Sequence, residues 1–160
     1  MRTLTAAEDG ALRHVARELG VEPVLLAALI EFESRWNPQA KNPRSSARGL
    51  IQFMDATARG MGYDGSDDLI ASHPDTVSQL RCCVRDYLAP QRPFRDEPPA
   101  LPGQSLFLAV FYPAARRWHP DRKFSARVRA ANPGIVTVRD YVDHVMRRAG
   151  RIRLAEASEE

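Results

Sequence analysis

Apolar residues recur at helical spacing along most of this chain. Thr5 and Glu8 form the pattern of a capping box, which predicts the start of a first helix, and Gly20 predicts its end. The apolar positions between them recur every three or four residues: Leu12, Val15, Ala16 and Leu19. Pro23 stands where the first turn of a second helix would begin, and residues 24–33 are apolar almost throughout.

The rest of the chain predicts further helices joined by polar loops. The predicted elements are a loop over residues 39–48, a short helix over 50–60, a helix that opens at 73–75, a proline-rich surface loop over 89–103, a helix over 105–115 and a last helix from 137 to 150. The last helix has an inward apolar face made of Val138, Tyr141, Val142, Val145 and Met146.

This pattern predicts an all-α, mainly helical fold. The 160 residues are enough for one hydrophobic core. We therefore expect a single compact domain over residues 1–150, followed by a flexible tail over residues 151–160. The sequence shows no strand pattern and no internal repeat.

The chain is mildly basic, with a net charge of +3 and a pI near 9.2. This balance favours a polyanionic partner, either nucleic acid or an anionic cell wall, without choosing between them. No stretch approaches the roughly 18 apolar residues of a membrane span. The chain reaches Glu8 and Asp9 before an apolar segment forms, so we expect synthesis in the cytoplasm without a secretory signal.

The cysteines and histidines offer no metal site and no nucleophile. Cys82 and Cys83 are adjacent, which predicts two buried thiols on a helix rather than a disulfide framework. The four histidines lack the spacing of metal ligands, and the nine glycines are scattered rather than gathered in a phosphate-binding loop. We expect neither a metal nor another cofactor.

Nucleic-acid binding is the rival function from a different class. Residues 15–32 resemble a helix-turn-helix in their spacing, but the supposed recognition helix over residues 24–32 has no Arg, Lys, Asn or Gln to read bases. Basic residues follow later in the chain: Arg116, Arg117, Arg122, Lys123, Arg127 and Arg129. A solvated basic face explains them, and we expect no nucleic-acid partner.

Two acids near the end of the second helix are separated by their helical angles. At about 100° per residue, Glu33 falls about 40° from Leu29, between Leu29 and Leu26 and inside the apolar arc. Glu31 is predicted to point nearly opposite, towards solvent. Burial raises the pKa of a carboxylic acid and keeps it protonated near neutral pH, as a general acid for a glycosidic oxygen requires.

On spacing alone, a Glu33 that turns to water or pairs with Arg35 or Arg48 is an equal alternative. The residues that follow shift the balance. They read Glu33-Ser34, Trp36-Asn37-Pro38-Gln39-Ala40, Ser46-Ala47-Arg48 and Gly49-Leu50-Ile51-Gln52, with Thr57-Ala58 and Gly62 further on. This compound pattern covers about residues 20–62 and resembles the catalytic segment of the lytic transglycosylases, which belong to the lysozyme-like superfamily.

The resemblance implies a lysozyme-like fold with a glycan-binding groove, and it makes Glu33 the catalytic acid and base. Ser34 would support the end of the helix. Gln52, Phe53 and Met54 would line the groove, since the glycine that precedes them permits a close backbone approach. A solvated helix residue is the alternative for Gln52.

The downstream half departs from the family pattern. Cellular members carry a Tyr-Asn-Ala-Gly motif on a later helix, whereas residues 111–115 here read Phe-Tyr-Pro-Ala-Ala, with Pro113 in place of the asparagine. Tyr112 would close the site near Glu33, with core packing as its alternative. Residues 132–135 look more like phage-encoded, virion-associated members. That resemblance implies phage tail or injection-apparatus proteins as partners and the bacterial cell wall as the place of action.

The resemblance implies cleavage of the β-1,4 bond between N-acetylmuramic acid and N-acetylglucosamine in peptidoglycan, giving 1,6-anhydromuramic ends without consuming water. Two alternatives stay open. A goose-type-like muramidase would need a second carboxylate from a group of aspartates, Asp55, Asp64, Asp67 and Asp68. A glycan-binding tail or baseplate component would need no catalysis, but it would have no use for an intact Glu33.

Overall fold

The computed structural model describes residues 1–154 and is 55% helical, which confirms the mainly helical prediction. The α-helices of the described residues are α1 (Ala6–Leu19), α2 (Pro23–Ser34), α3 (Asp55–Gly60), α4 (Ser66–Ser72), α5 (Thr76–Ser78), α6 (Arg85–Leu88), α7 (Gln104–Phe111), α8 (Ala126–Ala131) and α9 (Val138–Met146). A π-helical segment (Gln79–Val84) joins α5 to α6, and 3-10 turns lie at Ala89–Gln91, Pro113–Ala115 and Ala149–Arg151.

The first helix begins and ends where its sequence predicts. The Thr5 hydroxyl accepts the Glu8 N–H at 3.1 Å, and the Glu8 carboxylate accepts the Thr5 N–H at 3.0 Å, so the capping box is complete. Gly20 takes a left-handed conformation with φ 70° and ends α1. This places the start of α2 directly beside the end of α1.

Helix α2 is the central element of the fold. Every residue from 26 to 31 is buried, because α1, α9 and the 3-10 turn Ala149–Arg151 pack around the helix. The prediction for Glu31 is therefore wrong: its side chain is only 8% exposed, not turned to solvent. Helical angles show on which face of a helix a residue lies, but they do not show whether a neighbouring element covers that face.

The helix predicted to open at residues 73–75 is α5, the π-helical segment and α6 in one continuous run. Leu80, Val84 and Leu88 on its predicted apolar face are fully buried. Cys83 is buried as expected, and burial raises its pKa to about 12, whereas Cys82 is half-buried. Both cysteines are free thiols.

The short helix predicted over residues 50–60 begins later, at Asp55. Residues 50–54 instead belong to a folded loop, in which antiparallel bridges join Lys41 to Arg48 and Arg48 to Phe53. Gly49 and Gln52 have left-handed backbones, with φ 79° and 58°, which a right-handed helix excludes. This loop becomes one wall of the cleft described below.

Two short helices were not predicted from the apolar pattern. Helix α8 has no buried residue at all, so it leaves no periodic signal in the sequence. Helix α4 spans seven residues, three of them buried. Both helices form short connections between longer elements.

A short pair of strands corrects the expectation that the chain has none. β1 (Arg2–Thr3) and β2 (Ile152–Arg153) pair in parallel, with Arg2 opposite Ile152. Residues 151–154 of the predicted tail therefore lie against the domain, and residues 155–160 lie outside the described residues. The division at residue 150 stays a prediction. Within the described part, no helix has the length and apolar character needed to cross a membrane.

Candidate active site

Glu33 lies in the last turn of α2, where the chain makes a sharp change of direction. Arg35 and Trp36 both have left-handed backbones, with φ 53° and 61°, and end the helix directly after Ser34. The Trp36 ring is only 1% exposed, and its Nε1–H donates to the carbonyl of Ala27 at 3.3 Å. The buried indole therefore fixes the turn, and with it the position of Glu33 at the helix end.

Burial sets the protonation of Glu33. It raises the pKa of this carboxyl to about 7 from an ordinary value of 4.5, and a hydrogen bond from Tyr141 opposes the rise. The last turn of a helix carries the negative end of the helix dipole, which disfavours an ionised acid in the same direction as burial. Glu33 is therefore partly protonated at neutral pH.

Tyr141 of α9 is the polar partner of Glu33. Its fully buried hydroxyl lies 3.4 Å from Glu33 Oε1 and 3.4 Å from the carbonyl oxygen of Phe107. The ring stacks on Phe111 at 4.2 Å and meets Phe32 edge-on at 5.6 Å, so its orientation is fixed by packing. Burial and the neighbouring acid raise the Tyr141 pKa well above its usual value, so the hydroxyl keeps its proton.

Glu33 opens onto a cleft of about 360 Å³. The cleft is lined by Glu33, Asn42, Ser45, Ala47, Ile51, Gln52, Met54, Val110, Phe111 and Asn132. Among these lining residues, Glu33 is the only carboxylic acid. The remaining polar groups are neutral amides and a hydroxyl, which suit a neutral sugar rather than a charged ligand.

Gln52 and Met54, two of the residues predicted for the groove, lie on the cleft wall. Gln52 belongs to the folded loop, not to a helix, and its Nε2 donates to the carbonyl of Gly49 at 3.0 Å. Met54 is 44% exposed, and its sulfur lies 4.0 Å from the Ser46 hydroxyl. The wall thus presents one amide and one apolar side chain next to the acid.

The other predicted site residues lie outside the cleft. Ser34 is buried and donates to the carbonyl of Ile30 at 3.1 Å, within its own helix. Phe53 is buried in the core. Tyr112 lies between two aromatic rings, Trp118 at 5.6 Å and Phe124 at 5.8 Å. Its preceding neighbour, Phe111, lines the cleft instead of Tyr112.

Three of the four aspartates considered as second carboxylates are engaged elsewhere. Asp55 accepts the N–H and hydroxyl of Ser66, both at 2.9 Å, and these bonds lower its pKa. Asp67 pairs with Arg48 at 2.8 Å, which also takes Arg48 away from Glu33. Asp68 accepts the backbone N–H of Asp64 at 2.9 Å. None of these aspartates lines the cleft.

The sequence did not identify Tyr141, Phe111 or Asn132 as site residues. Tyr141 was predicted only as part of the inward face of the last helix, and an apolar face gives no sign of a hydroxyl contact 108 residues away. Asn132 follows α8, whose absence from the prediction hid its position. Its Nδ2 donates to the carbonyl of Val128 at 2.9 Å.

Residues 11–77 match the family model of the transglycosylase SLT domain. The match covers less than half of the chain and supports the assignment of this segment to the lytic transglycosylases. This assignment confirms the resemblance to the lytic transglycosylases and the lysozyme-like, mainly helical fold. No curated protein matches the chain.

The SLT match covers Glu33 and the folded loop that forms one cleft wall, and it ends before Phe111 and Tyr141. The family supports a peptidoglycan-cleaving activity of the lytic transglycosylase type and peptidoglycan as substrate. Within residues 1–154, no group of three His, Cys, Asp or Glu side chains is arranged to hold a metal ion.

Proposed function

We propose that the chain is a peptidoglycan lytic transglycosylase that cleaves the β-1,4 bond between N-acetylmuramic acid and N-acetylglucosamine. The observation that carries the proposal is a cleft with a single carboxylic acid, Glu33, whose pKa is raised to about 7. One acid of this kind serves a reaction in which the same group first gives and then takes a proton. The SLT match over residues 11–77 supports the substrate class.

In the first step, protonated Glu33 donates its proton to the glycosidic oxygen, and the bond from that oxygen to the muramic acid C1 breaks. Glu33 is now a carboxylate, and positive charge develops at C1 and the ring oxygen. The Tyr141 hydroxyl, 3.4 Å from Oε1, is placed to donate to this carboxylate. That distance is long for such a bond, and catalytic hydrogen bonds commonly shorten when substrate binds.

In the second step, the 6-hydroxyl of the same muramic acid attacks C1 and gives its proton to Glu33. A 1,6-anhydro ring forms, the acid returns to its starting state, and no water is consumed. An intramolecular hydroxyl has a large advantage in effective concentration over water. The reaction therefore needs no second carboxylate to activate a nucleophile.

The cleft walls supply neutral contacts for the sugars. Gln52 and Asn132 carry side-chain amides that suit hydroxyl and acetamido groups, and Met54 and Phe111 provide apolar surface. We assign Gln52 and Met54 to substrate binding. Ser34 and Phe53 act from behind the wall by fixing the helix end and the core. Tyr112, whose side chain packs on neighbouring aromatic rings, would act only through Phe111.

A muramidase is the second candidate reaction. A hydrolase places its carboxylates about 5–5.5 Å apart when it retains the sugar configuration and about 6.5–9.5 Å apart when it inverts it. Asp55 and Asp67, two of the four candidates, are held by Ser66 and Arg48. The engaged aspartates favour the transglycosylase over the hydrolase.

For its place of action we propose the bacterial cell wall, reached as part of a phage tail or another injection apparatus. The support is the likeness of residues 132–135 to phage-encoded members and the wall location of the substrate. Peptide mapping of purified virions or secreted apparatus tests this proposal, and absence of the chain from both contradicts it.

Mass spectrometry of purified peptidoglycan after digestion tests the reaction. We expect anhydro-muropeptides from the wild type and none from Glu33→Gln, with Glu31→Gln as the matched control that retains the product. Reducing-end products from the wild type would establish a hydrolase. A wild type that binds glycan strands without cleaving them would instead establish a glycan-binding component, provided that a known muramidase digests the same sample.

A further inference from the structure

Gln79, the first residue of the π-helical segment, is a fully buried amide with a partner for each polar atom. Its Oε1 accepts the N–H of Leu50 at 3.0 Å. Its Nε2 donates to the carbonyl of Pro38 at 2.7 Å and to that of His73 at 2.9 Å. A buried amide satisfied in this way holds its neighbours in one arrangement, since each lost bond leaves a buried polar group without a partner.

The three partners come from separate parts of the chain. Pro38 follows the sharp turn after Glu33, Leu50 belongs to the folded loop that forms the cleft wall, and His73 follows α4. Pro38 and Leu50 lie 41 and 29 residues before Gln79 in sequence. One side chain therefore ties the segment after the catalytic acid to the opposite cleft wall.

Gly49 is the residue that lets this amide approach. A Cβ atom at Gly49 would lie 2.8 Å from Gln79 Oε1 and 2.7 Å from Ile70 Cδ1, and the backbone is left-handed with φ 79°. The sequence interpretation placed the close approach of Gly49 on the glycan side. The contacts instead lie against Gln79 and Ile70, on the inner side of the wall.

Two hydrogen bonds connect Gln52 to Gly49, next to the Leu50 N–H that Gln79 binds. The Gln52 N–H donates to the Gly49 carbonyl at 3.2 Å, and the Gln52 side chain donates to the same oxygen at 3.0 Å. Gln52 itself has φ 58°, an uncommon backbone conformation that persists only when its surroundings fix it. The contacts that fix Gln52 are those with Gly49, which lies against Gln79.

We propose that Gln79 is a positioning residue of the active site: it sets the cleft wall that carries Gln52 against the segment that follows Glu33. The inference rests on the proposed function for its substrate, a peptidoglycan glycan strand. Gln79 does not line the cleft, so it acts on binding through Gln52 and its neighbours. The pKa of Glu33 depends on burial and Tyr141, which Gln79 leaves untouched.

Gln104 is a matched control within the same chain. It is also a fully buried amide, and its Oε1 accepts the N–H of Leu101 at 3.0 Å. Its Nε2 donates to the carbonyls of Trp118 at 2.7 Å and Arg116 at 3.4 Å. No residue that Gln104 bonds lines the cleft. Loss of either amide removes the same kind of interaction, but only Gln79 is connected to the wall.

The experiment measures the Kd of uncrosslinked glycan strands by calorimetry in the non-cleaving Glu33→Gln background, alone and with Gln79→Leu or Gln104→Leu. We expect Gln79→Leu to raise the Kd about tenfold or more and Gln104→Leu to leave it within about twofold, with similar losses of Tm. Gln79→Asn keeps a side-chain amide with both a donor and an acceptor on a side chain one methylene shorter, and it is expected to weaken binding less. This second variant provides the test of the proposal if Gln79→Leu does not fold.

In the active background, we expect Gln79→Leu to raise KM more than it lowers kcat and to leave the alkaline limb of the pH profile in place. Equal Kd values for the Gln79 and Gln104 variants would overturn the inference. A wild type that binds strands but releases no anhydro product would overturn the proposed reaction alone. Strands that bind none of the proteins would overturn both.

Discussion

The hydroxyl of Tyr141 and the carboxyl of Glu33 meet at 3.4 Å, although 108 residues separate them in the chain. Glu33 ends α2 and Tyr141 lies in the middle of α9, so the packing of these two helices creates the contact. The hydroxyl favours the ionised form of an acid that burial holds protonated. The two effects together leave Glu33 with a pKa of about 7, close to the value that acid and base steps at neutral pH require.

Removal of this hydroxyl shifts the pH dependence of the reaction. In Tyr141→Phe the Glu33 pKa rises, because the bond that lowers it is gone. We expect the alkaline limb of kcat/KM to move to higher pH and kcat to fall by up to about tenfold, since the carboxylate loses one hydrogen bond. Rate profiles from pH 5 to pH 9 measure both effects.

Tyr63→Phe is the control for this change. The Tyr63 hydroxyl bonds His73 Nε2 at 2.8 Å and does not line the cleft. Its removal should leave the alkaline limb in place. An unchanged limb in Tyr141→Phe would show that Tyr141 does not influence the protonation of Glu33.

The buried acid also makes the fold less stable as pH rises. The folded-state pKa of Glu33, about 7, lies above its ordinary value of 4.5, so the native state binds this proton more tightly than the unfolded state. The stabilisation is fully present below about pH 4.5 and is lost as pH rises through about 7, a change of about 3 kcal/mol. Thermal unfolding of wild type and Glu33→Gln from pH 4.5 to pH 8 measures it.

Glu33→Gln cannot ionise, so its stability does not fall as pH rises through 7. We expect its Tm to exceed that of the wild type at pH 8 and the difference to shrink towards pH 5. A constant difference across this range would contradict a raised pKa. With the expected result, the same substitution lowers activity and raises stability at pH 8, as is common for catalytic groups in unfavourable surroundings.

Gly49→Ala tests the tight contact behind the cleft wall. The new methyl group would meet Gln79 Oε1 at 2.8 Å and Ile70 Cδ1 at 2.7 Å, on a left-handed backbone. We expect the free energy of unfolding to fall by about 1–3 kcal/mol, measured by urea denaturation.

Gly10→Ala is the control, because a Cβ at Gly10 meets nothing within 4 Å and the residue lies inside α1. This substitution should stabilise the protein by about 0.5–1 kcal/mol. Equal effects at Gly49 and Gly10 would show that the wall tolerates a side chain at Gly49.

The aspartates provide the test between transglycosylase and hydrolase. We expect Asp64→Asn, Asp67→Asn and Asp68→Asn each to retain the wild-type rate within about threefold, since loss of a general base costs about 10²–10⁴. Release of muropeptides, quantified by chromatography, measures the rate. A loss of a hundredfold or more in one variant, with its fold intact by circular dichroism, would identify a second catalytic carboxylate.

The sequence predicted the parts of this fold that depend on local chemistry. The capping box at Thr5 and Glu8 forms as expected, and the angular position of Glu33 gives the acid a place at the edge of the apolar face. The same reasoning failed for Glu31, because residue angles within α2 do not reveal that several elements, among them α1, α9 and the turn after α9, pack around this helix.

The rest of the site depends on contacts between distant segments. Phe111 and Tyr112 are both aromatic neighbours, but α7 ends at Phe111, and the extended backbone of Tyr112, with φ −155°, directs it towards Trp118 and Phe124 instead of the cleft. In the sequence, Gln79 is a single amide within a predicted helix. Its role is visible only in the structure, where it contacts the folded loop. No local pattern carries such information.

Helix α2 is enclosed over residues 26–31, whereas the cleft walls come from the folded loop, from the end of α7 and from the end of the exposed helix α8. Amide hydrogens of such an enclosed helix exchange only in large-scale opening, while loops open locally at little cost. The acid that we propose as the proton donor is therefore anchored to a helix expected to exchange slowly, whereas Asn132 lies beside an exposed helix that opens at a lower cost. Changes in glycan preference can accumulate around Asn132 without moving the acid.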